Sequence, residues 1–265
     1  MTTDIVLGEA FAEERQHQIG RLVAERGRVR VGDLAAQFRV SGVTIRKDLA
    51  ELERQGRVVR THGGAVSPAG AGLERAFDVR ERLQRAEKDA IGRAAAALVS
   101  DGESIALDAS TTAFAMAKAL RAQRDWLHLT VITNGLRIAL ELAGAPGITV
   151  LMPGGFIRPE ALSLVGPMGE GLLARVNVQR AFLGATGFSV DAGLCDGTEE
   201  EAQIKRLLVA AASETIGLAD HTKWGRTSLA TFCATSALSA VITDAPAPPS
   251  MLEQLGAAGV RVVAV

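Results

Sequence analysis

The chain of 265 residues has no tyrosine, and aromatic residues make up only 4% of it. Proteins that hold single-stranded nucleic acid stack bases on aromatic rings, so this composition disfavours that mode of binding. Cysteine is almost as scarce. Cys195 and Cys233 show no metal-ligand spacing, and the four histidines (His17, His62, His128, His221) are scattered. That argues against zinc or any other bound metal and predicts two buried, reduced thiols. No apolar stretch approaches 18 residues, and no charged segment followed by an apolar run opens the chain. The expectation is a soluble, cytoplasmic protein with no membrane partner. A large charge of either sign is missing too, with 29 Lys+Arg against 30 Asp+Glu. Net charge therefore gives no hint of a polyanionic partner. No internal repeat is evident. The length allows two domains, one small and one of ordinary size.

Charge is nevertheless unevenly placed. Between Arg15 and Val66 stand 11 Arg/Lys and five acids (Glu25, Asp33, Asp48, Glu51, Glu53), a local balance of +6. Inside that segment, Ser41 to Gly56 reads as a helix with both ends marked. Ser41 is an N-cap, and Gly56 sits where a left-handed C-cap is easiest. Ile45, Leu49 and Leu52 form one apolar stripe. Thr44, Arg46 and Lys47 lie off it near the N-terminus, where a recognition helix meets base edges and phosphates. By itself this is equally an amphipathic surface helix with a solvated basic edge.

The flanks decide between those readings. Upstream, Arg15 to Arg26 is helical with Ile19, Leu22 and Val23 apolar, and Gly27 closes it. Val29 and Val31 follow, then a short helix, Asp33 to Phe38, with Leu34, Ala35 and Phe38 turned inward. Arg39 and Val40 make a tight turn. That order is a helix-turn-helix. Downstream, Arg57 to Thr61 alternates like a strand, His62 to Ala65 reverses it and Val66 begins a return. A hairpin in that position is a wing suited to phosphate or the minor groove, with Arg60, His62 and Gly63 at its tip. A basic module on a neutral body is the footprint of double-stranded DNA binding.

The domain limits follow from composition. Residues 1–12 read as an N-terminal arm, 13–66 as the winged helix-turn-helix, 67–72 as a linker of small residues and 73–265 as an α/β domain. From Arg80 onward helices and strands alternate. The spacing predicts helices over Arg80–Val99, Thr112–Leu120, Leu136–Ala143, Glu199–Ala212 and Met251–Ala258. It predicts strands over Ser104–Asp108, Leu127–Thr133, Ile148–Met152, Arg180–Gly184, Thr215–Leu218, Ala240–Thr243 and Val260–Val265. Such alternation means a mainly parallel sheet covered on both faces.

In open parallel sheets, ligands bind outside the carboxyl ends of the strands. The first strand end offers Asp108, Ser110, Thr111 and Thr112 at a helix N-terminus, an anion cradle. The next offer Thr133, Asn134 and Gly135, then Gly154 and Gly155, then Gly187. Glu201 and Lys205 follow at i, i+4, and Asp220 and Lys223 complete the set. Each has a plainer reading: turn glycines, Ser/Thr caps, a surface Glu201–Lys205 ion pair, a turn acid and a solvated lysine. The Arg/Ala-rich helix at 80–99 reads as scaffold. Five polar loops converging on one sheet edge suit a small phosphorylated polyol.

The runs Val40-Ser-Gly-Val-Thr-Ile-Arg-Lys-Asp-Leu49 and Arg60-Thr-His-Gly-Gly-Ala65 resemble the winged helix-turn-helix of the DeoR family of bacterial sugar-metabolism repressors. The body resembles that family through Leu107-Asp-Ala-Ser-Thr-Thr112, Val131-Ile-Thr-Asn134, Pro153-Gly-Gly155, Glu201-Ala-Gln-Ile-Lys205 and Ala219-Asp-His-Thr-Lys223. The resemblance runs from about residue 13 to the C-terminus. It implies a repressor acting as a homodimer or homotetramer on operator DNA, with an effector domain similar to ribose-5-phosphate isomerase that senses a phosphorylated sugar. It implies no cofactor. Two positions depart from the family's pattern. Ser110 stands where glycine is common, narrowing the phosphate cradle or adding a hydroxyl. Lys47 stands where a second arginine is usual, and lysine lacks the rigid fork that reads guanine with two bonds.

Two rival functions are weighed against this. A sugar-phosphate isomerase with an accessory DNA-binding domain needs a carboxylate base, and Gly184 to Gly187 supplies none where related isomerases carry an acidic cluster. Glu201 and Asp220 remain as candidates. A ligand-blind architectural DNA binder has no use for the polar strand-end loops.

Overall fold

The computed structural model describes residues 12–23, 28–55, 57–61, 63–66, 76–123, 125–244 and 249–265. The expected arm to residue 11, Gly27, the Gly56 cap, His62 and the linker at 67–72 lie outside them. The chain divides into two compact units, Met1–Leu73 and Glu74–Val265.

The first unit holds α1 (residues 12–23), β1 (Arg28–Arg30), α2 (Val31–Phe38), α3 (Gly42–Arg54), β2 (Val59–Thr61) and β3 (Gly64–Val66). Ser41 caps α3, its Oγ accepting from the Thr44 amide at 3.1 Å. The turn before it is made by Arg39 in the left-handed region (φ 52°). Ile19, Val23, Leu34, Ile45, Leu49, Leu52 and Val58 close a small core. The wing is larger than the sequence suggested. Arg28–Arg30, where Val29 had no assigned element, pairs antiparallel with β3 to give the order β1-β3-β2. Three residues of alternation are too few to be read as a strand without their partner.

The second unit is built on a seven-stranded sheet ordered β15-β14-β12-β9-β4-β5-β6, with every pairing parallel. Its strands are β4 (Ser104–Leu107), β5 (Leu129–Thr133), β6 (Ile148–Leu151), β9 (Val178–Gly184), β12 (Ala212–Leu218), β14 (Ala240–Thr243) and β15 (Arg261–Ala264). Helices α5 (Arg85–Ala96), α6 (Thr111–Ala122), α7 (Leu136–Leu142), α9 (Glu199–Ala211) and α10 (Pro249–Ala257) alternate with them, and the sheet separates two apolar cores, one containing Phe182 and the other Phe188. No described helix is long and apolar enough to cross a membrane.

Several elements differ from the sequence reading. The single helix expected over Arg80–Val99 is broken. A short α4 (Phe77–Arg82) ends at an extended Leu83, Gln84 adopts φ 45°, and α5 starts afresh. No glycine or proline marks that break, so periodicity ran through it. A hairpin, β7 (Phe156–Arg158) with β8 (Ser163–Val165), and α8 (Pro167–Leu173) follow β6. A second, antiparallel sheet of β10 (Gly187–Ser189), β11 (Gly193–Asp196) and β13 (Ala230–Cys233) follows β9. These strands are only three or four residues long, too short for alternation to stand out.

Candidate functional site

In the first unit, α3 turns Ile45, Asp48, Leu49 and Leu52 inward and leaves Arg46 and Lys47 exposed. The Thr44 hydroxyl lies 2.9 Å from Ser41 Oγ, so it joins the cap. Asp48, counted from sequence only as a charge, is buried. It accepts from Arg15 Nε at 2.6 Å and Gln16 Nε2 at 3.1 Å, which fixes α1 against α3 and with it the angle of the basic face. On the wing, the Arg60 amide donates to Glu53 Oε1 at 3.0 Å, tying β2 back to α3, and Gly63 is exposed at the turn.

In the second unit, the carboxyl ends of β4, β9 and β11 meet at one lysine. Lys205 Nζ lies 2.7 Å from Asp108 Oδ2 and 2.5 Å from Asp196 Oδ2, and it donates to the Gly184 carbonyl at 2.9 Å. An ammonium has three N–H groups, and all three are spoken for. Burial would lower the Lys205 pKa, but the two carboxylates outweigh it and hold the ammonium well above its usual range. Burial likewise would raise Asp196, yet Lys205 and the Gly197 amide keep it below the ordinary carboxylate range. The sequence-level pairing of Glu201 with Lys205 as a surface i, i+4 bridge is not what forms: both are buried, and each bonds elsewhere.

Glu201 receives Arg158 Nη1 at 2.9 Å, the Ser163 hydroxyl and, at 3.5 Å, Asn134 Nδ2. Burial pushes its pKa up in spite of these donors. Asn134 Nδ2 also donates to the Leu164 carbonyl at 3.2 Å. With two acceptors on one side, the amide cannot flip, and its Oδ1 is left buried with no hydrogen-bond partner.

Ser110 caps α6, its Oγ accepting from the Ala113 amide at 3.1 Å. Its side chain approaches the Gly184 Cα so closely that a Cβ there would lie 2.3 Å from Ser110 Oγ. Glycine at 184 is therefore required by the serine opposite it. Thr111 and Thr112 are buried in the first turn of α6, and Thr133 Oγ1 accepts from the Gly135 amide at 3.0 Å. Asp220 is buried. Its Oδ1 accepts from the Thr222 amide at 3.0 Å, its Oδ2 accepts no hydrogen bond, and Lys223 Nζ stands 4.0 Å from that oxygen.

Ser110, Glu201 and Lys205 line one cavity together with Arg80, Ala109, Ala161 and Asp196. Its volume is about 10 Å³. Gly154, Gly155 and Gly187 are not among its lining residues: Gly154 faces Met168, Gly155 the Val165 carbonyl, and Gly187 the Arg226 carbonyl. Sequence reasoning missed Arg80, Arg158, Ser163 and Asp196. The first had been read as scaffold, and the others sit on the short strands that escaped notice. It also missed Lys88, which donates to the Arg80 and Leu83 carbonyls across the α4–α5 break. Burial and the nearby Lys223 lower its pKa to about 8. A wider groove of about 530 Å³ on the outer face of α5 and α6, lined by Asp89, Arg93 and Lys118, lies away from the strand ends.

Residues 15–70 match the DeoR-like helix-turn-helix domain, and residues 83–245 match the DeoR C terminal sensor domain. The chain belongs to the DeoR family. Its relatives in that family are transcriptional regulators. YulB of Bacillus subtilis, an HTH-type transcriptional regulator, is 38% identical over 95% of this chain and 96% of its own length. The putative aga operon transcriptional repressor of Escherichia coli O157:H7 is 34% identical over 95% of this chain and 93% of its own. The repressor GlcR of B. subtilis is 34% identical over 88% and 89%. Among solved structures, ribose 5-phosphate isomerase A from Methanocaldococcus jannaschii overlaps 53% of this chain and 55% of its own, at 18% identity and a TM-score of 0.39. The winged helix and the all-parallel sheet are the two halves of this DeoR-family chain.

Proposed function

We propose that this DeoR-family regulator represses genes of sugar or polyol catabolism and that a phosphorylated sugar or polyol, bound at the strand ends of the second unit, controls its hold on operator DNA. It acts in the cytoplasm as a homodimer or homotetramer, placing paired α3 helices in successive major grooves. The domain limits remain those proposed from sequence, 13–66 and 73–265 about a linker at 67–72. Arg46, Lys47, Arg60, His62 and Gly63 serve the phosphate and base contacts, with Ser41 and Thr44 holding the helix start.

The observation that carries the sensing half is the concentration of buried charge around one cavity at the carboxyl ends of parallel strands. Buried charge is costly, and a mere spacer would not retain it. The residues divide the work. Lys205 is saturated, so it braces Asp108, Gly184 and Asp196 and does not reach for phosphate. The anion falls to the first turn of α6, at Ser110, Thr111 and Thr112. Asn134 Oδ1, a buried acceptor in want of a donor, suits a ligand hydroxyl. Asp220 and Lys223 border the same end of the sheet. Neither acid at the cavity is free to act as a base: Asp196 is clamped by Lys205, and Glu201 is engaged by three donors. The protein is on this reading a sensor and not an isomerase.

A volume of about 10 Å³ holds one water, whereas small-molecule sites span on the order of 300–1,000 Å³. On this reading part of the wall moves to admit a sugar phosphate. The movement is assigned to the loop between β7 and β8, because the strands themselves are tied to Glu201 and Asn134 through Arg158, Ser163 and Leu164. Ala161 lines the cavity from that loop, and Gly155 and Gly166 flank the hairpin in left-handed backbone (φ 139° and 105°). A thermal-shift screen against sugar and polyol phosphates, free sugars and inorganic phosphate tests the reading. A ligand at about 100 times its Kd stabilises the native state by roughly 2.7 kcal/mol, a shift of a few degrees. The same ligand is expected to release operator DNA in fluorescence anisotropy. Silence across the panel from well-folded protein removes the sugar phosphate from the proposal.

A further inference from the structure

We infer that Val43 reads DNA, by contact with the C5 methyl group of a thymine in the major groove. Val43 is 72% exposed in the first turn of α3. It lies off the stripe of Ile45, Asp48, Leu49 and Leu52 that faces the core. Arg46 and Lys47 follow it at i+3 and i+4, so the three side chains share one face. A single exposed apolar residue is ordinary on any surface. What sets Val43 apart is its position, on the exposed N-terminal turn of the recognition helix beside Arg46 and Lys47, the two cations assigned above to phosphate and base contacts.

An isopropyl group offers no donor or acceptor and takes no part in the hydrogen-bond code of the major groove. The one apolar group that a base presents there is the thymine methyl. Valine is also stiff at χ1, so little side-chain freedom is lost when it is seated against that methyl. Lys47 lacks the bidentate fork of arginine, which leaves more of the sequence discrimination on this face to its neighbours.

The inference rests on the DNA-reading role proposed above, and the experiment separates the two. The full-length protein selects its preferred duplex from a randomised pool. Each thymine of that duplex is then replaced in turn by deoxyuracil, which keeps every hydrogen bond and removes only the methyl. Affinities are measured for wild type and Val43→Ala by fluorescence anisotropy at one fixed salt concentration. We expect one thymine per half-site at which deoxyuracil weakens wild-type binding roughly fourfold, the worth of one buried methyl. Val43→Ala is expected to bind the two duplexes alike. Wild type indifferent to deoxyuracil at every position overturns the inference, as does a variant that keeps the full methyl dependence. Failure to select any sequence overturns the DNA-reading role itself. The substitution is at an exposed site and leaves the fold unstrained, which the unfolding transition of the variant checks.

Discussion

In the winged unit Arg46 and Lys47 stand in solvent, while in the sensor unit Lys205 is 4% exposed and Asp108 not at all. Both sets are charged, and they obey different physics. An exposed cation keeps its hydration until a phosphate displaces the counterions, so its effect falls with salt and tolerates small shifts of geometry. A buried ammonium has paid its desolvation already and holds only while every partner stays within hydrogen-bond reach. On the proposed reading the exposed charge of Arg46 and Lys47 meets a partner from outside. Charge inside holds strand ends in register and shapes a cavity. The first kind can be altered without harm to the fold, and the second cannot.

The severest way to break that contrast is Lys205→Met. It strands Asp108 and Asp196 without their cation, at a cost of about 3–5 kcal/mol. The expected result is a large fall in the urea midpoint of the sensor unit. Adding Asp108→Asn removes one of the stranded charges and should recover part of the loss. A single Lys205→Met variant with unchanged stability and lost ligand response would instead make Lys205 a ligand anchor, contrary to the brace assigned to it.

A smaller effect sharpens the comparison from inside the sensor unit. Lys88 has a folded pKa of about 8, below its ordinary 10.5, because burial penalises its charge. With the folded value depressed, the unfolded chain binds more protons between those two pH values, so stability rises with pH across that window. Below pH 8 the cost of the buried charge is fully present. Measured against Lys88→Met, wild type should therefore gain about 1–2 kcal/mol between pH 7 and pH 9.5. A difference that is flat with pH would mean that the two carbonyls it donates to keep Lys88 charged throughout.

How far these features could be read from sequence follows the same division. The recognition helix was legible because its marks are local: Ser41, the Ile45–Leu49–Leu52 stripe and the basic residues beside it lie within a few turns of one another. The parallel sheet was legible from alternation, and its strand ends drew attention to Asp108, Ser110 and Asn134, with Glu201 on the helix beyond. The cavity itself was not. Asp196 and Ser163 lie on strands of three or four residues, and their roles depend on partners 9 and 38 positions away: Lys205 for the first, Glu201 for the second. The spacing of Glu201 and Lys205 suggested a pair with each other, since i, i+4 is the default for exposed helix positions. Burial overrode it, as each found a fixed partner on another element. The α4–α5 break left no trace because Gln84 takes a left-handed conformation that its residue type does not advertise.

The mildest test returns to the surface. Lys47→Met removes one exposed cation from the reading face, with no buried partner left behind, so its stability change should stay within about 0.5 kcal/mol. The effect belongs in the salt dependence of operator binding. Affinity falls linearly with log salt, with a slope set by the number of phosphates neutralised, and losing one contact reduces that slope by about one. Wild type and variant titrated between about 50 and about 200 mM salt, the range over which phosphate-driven binding weakens most visibly, give two lines that converge as salt rises. Parallel lines with a constant offset would instead assign Lys47 to a base edge. In that case the phosphate contacts would fall to Arg46 and the wing, and the preferred sequence selected by Lys47→Met would change where a purely backbone contact leaves it the same.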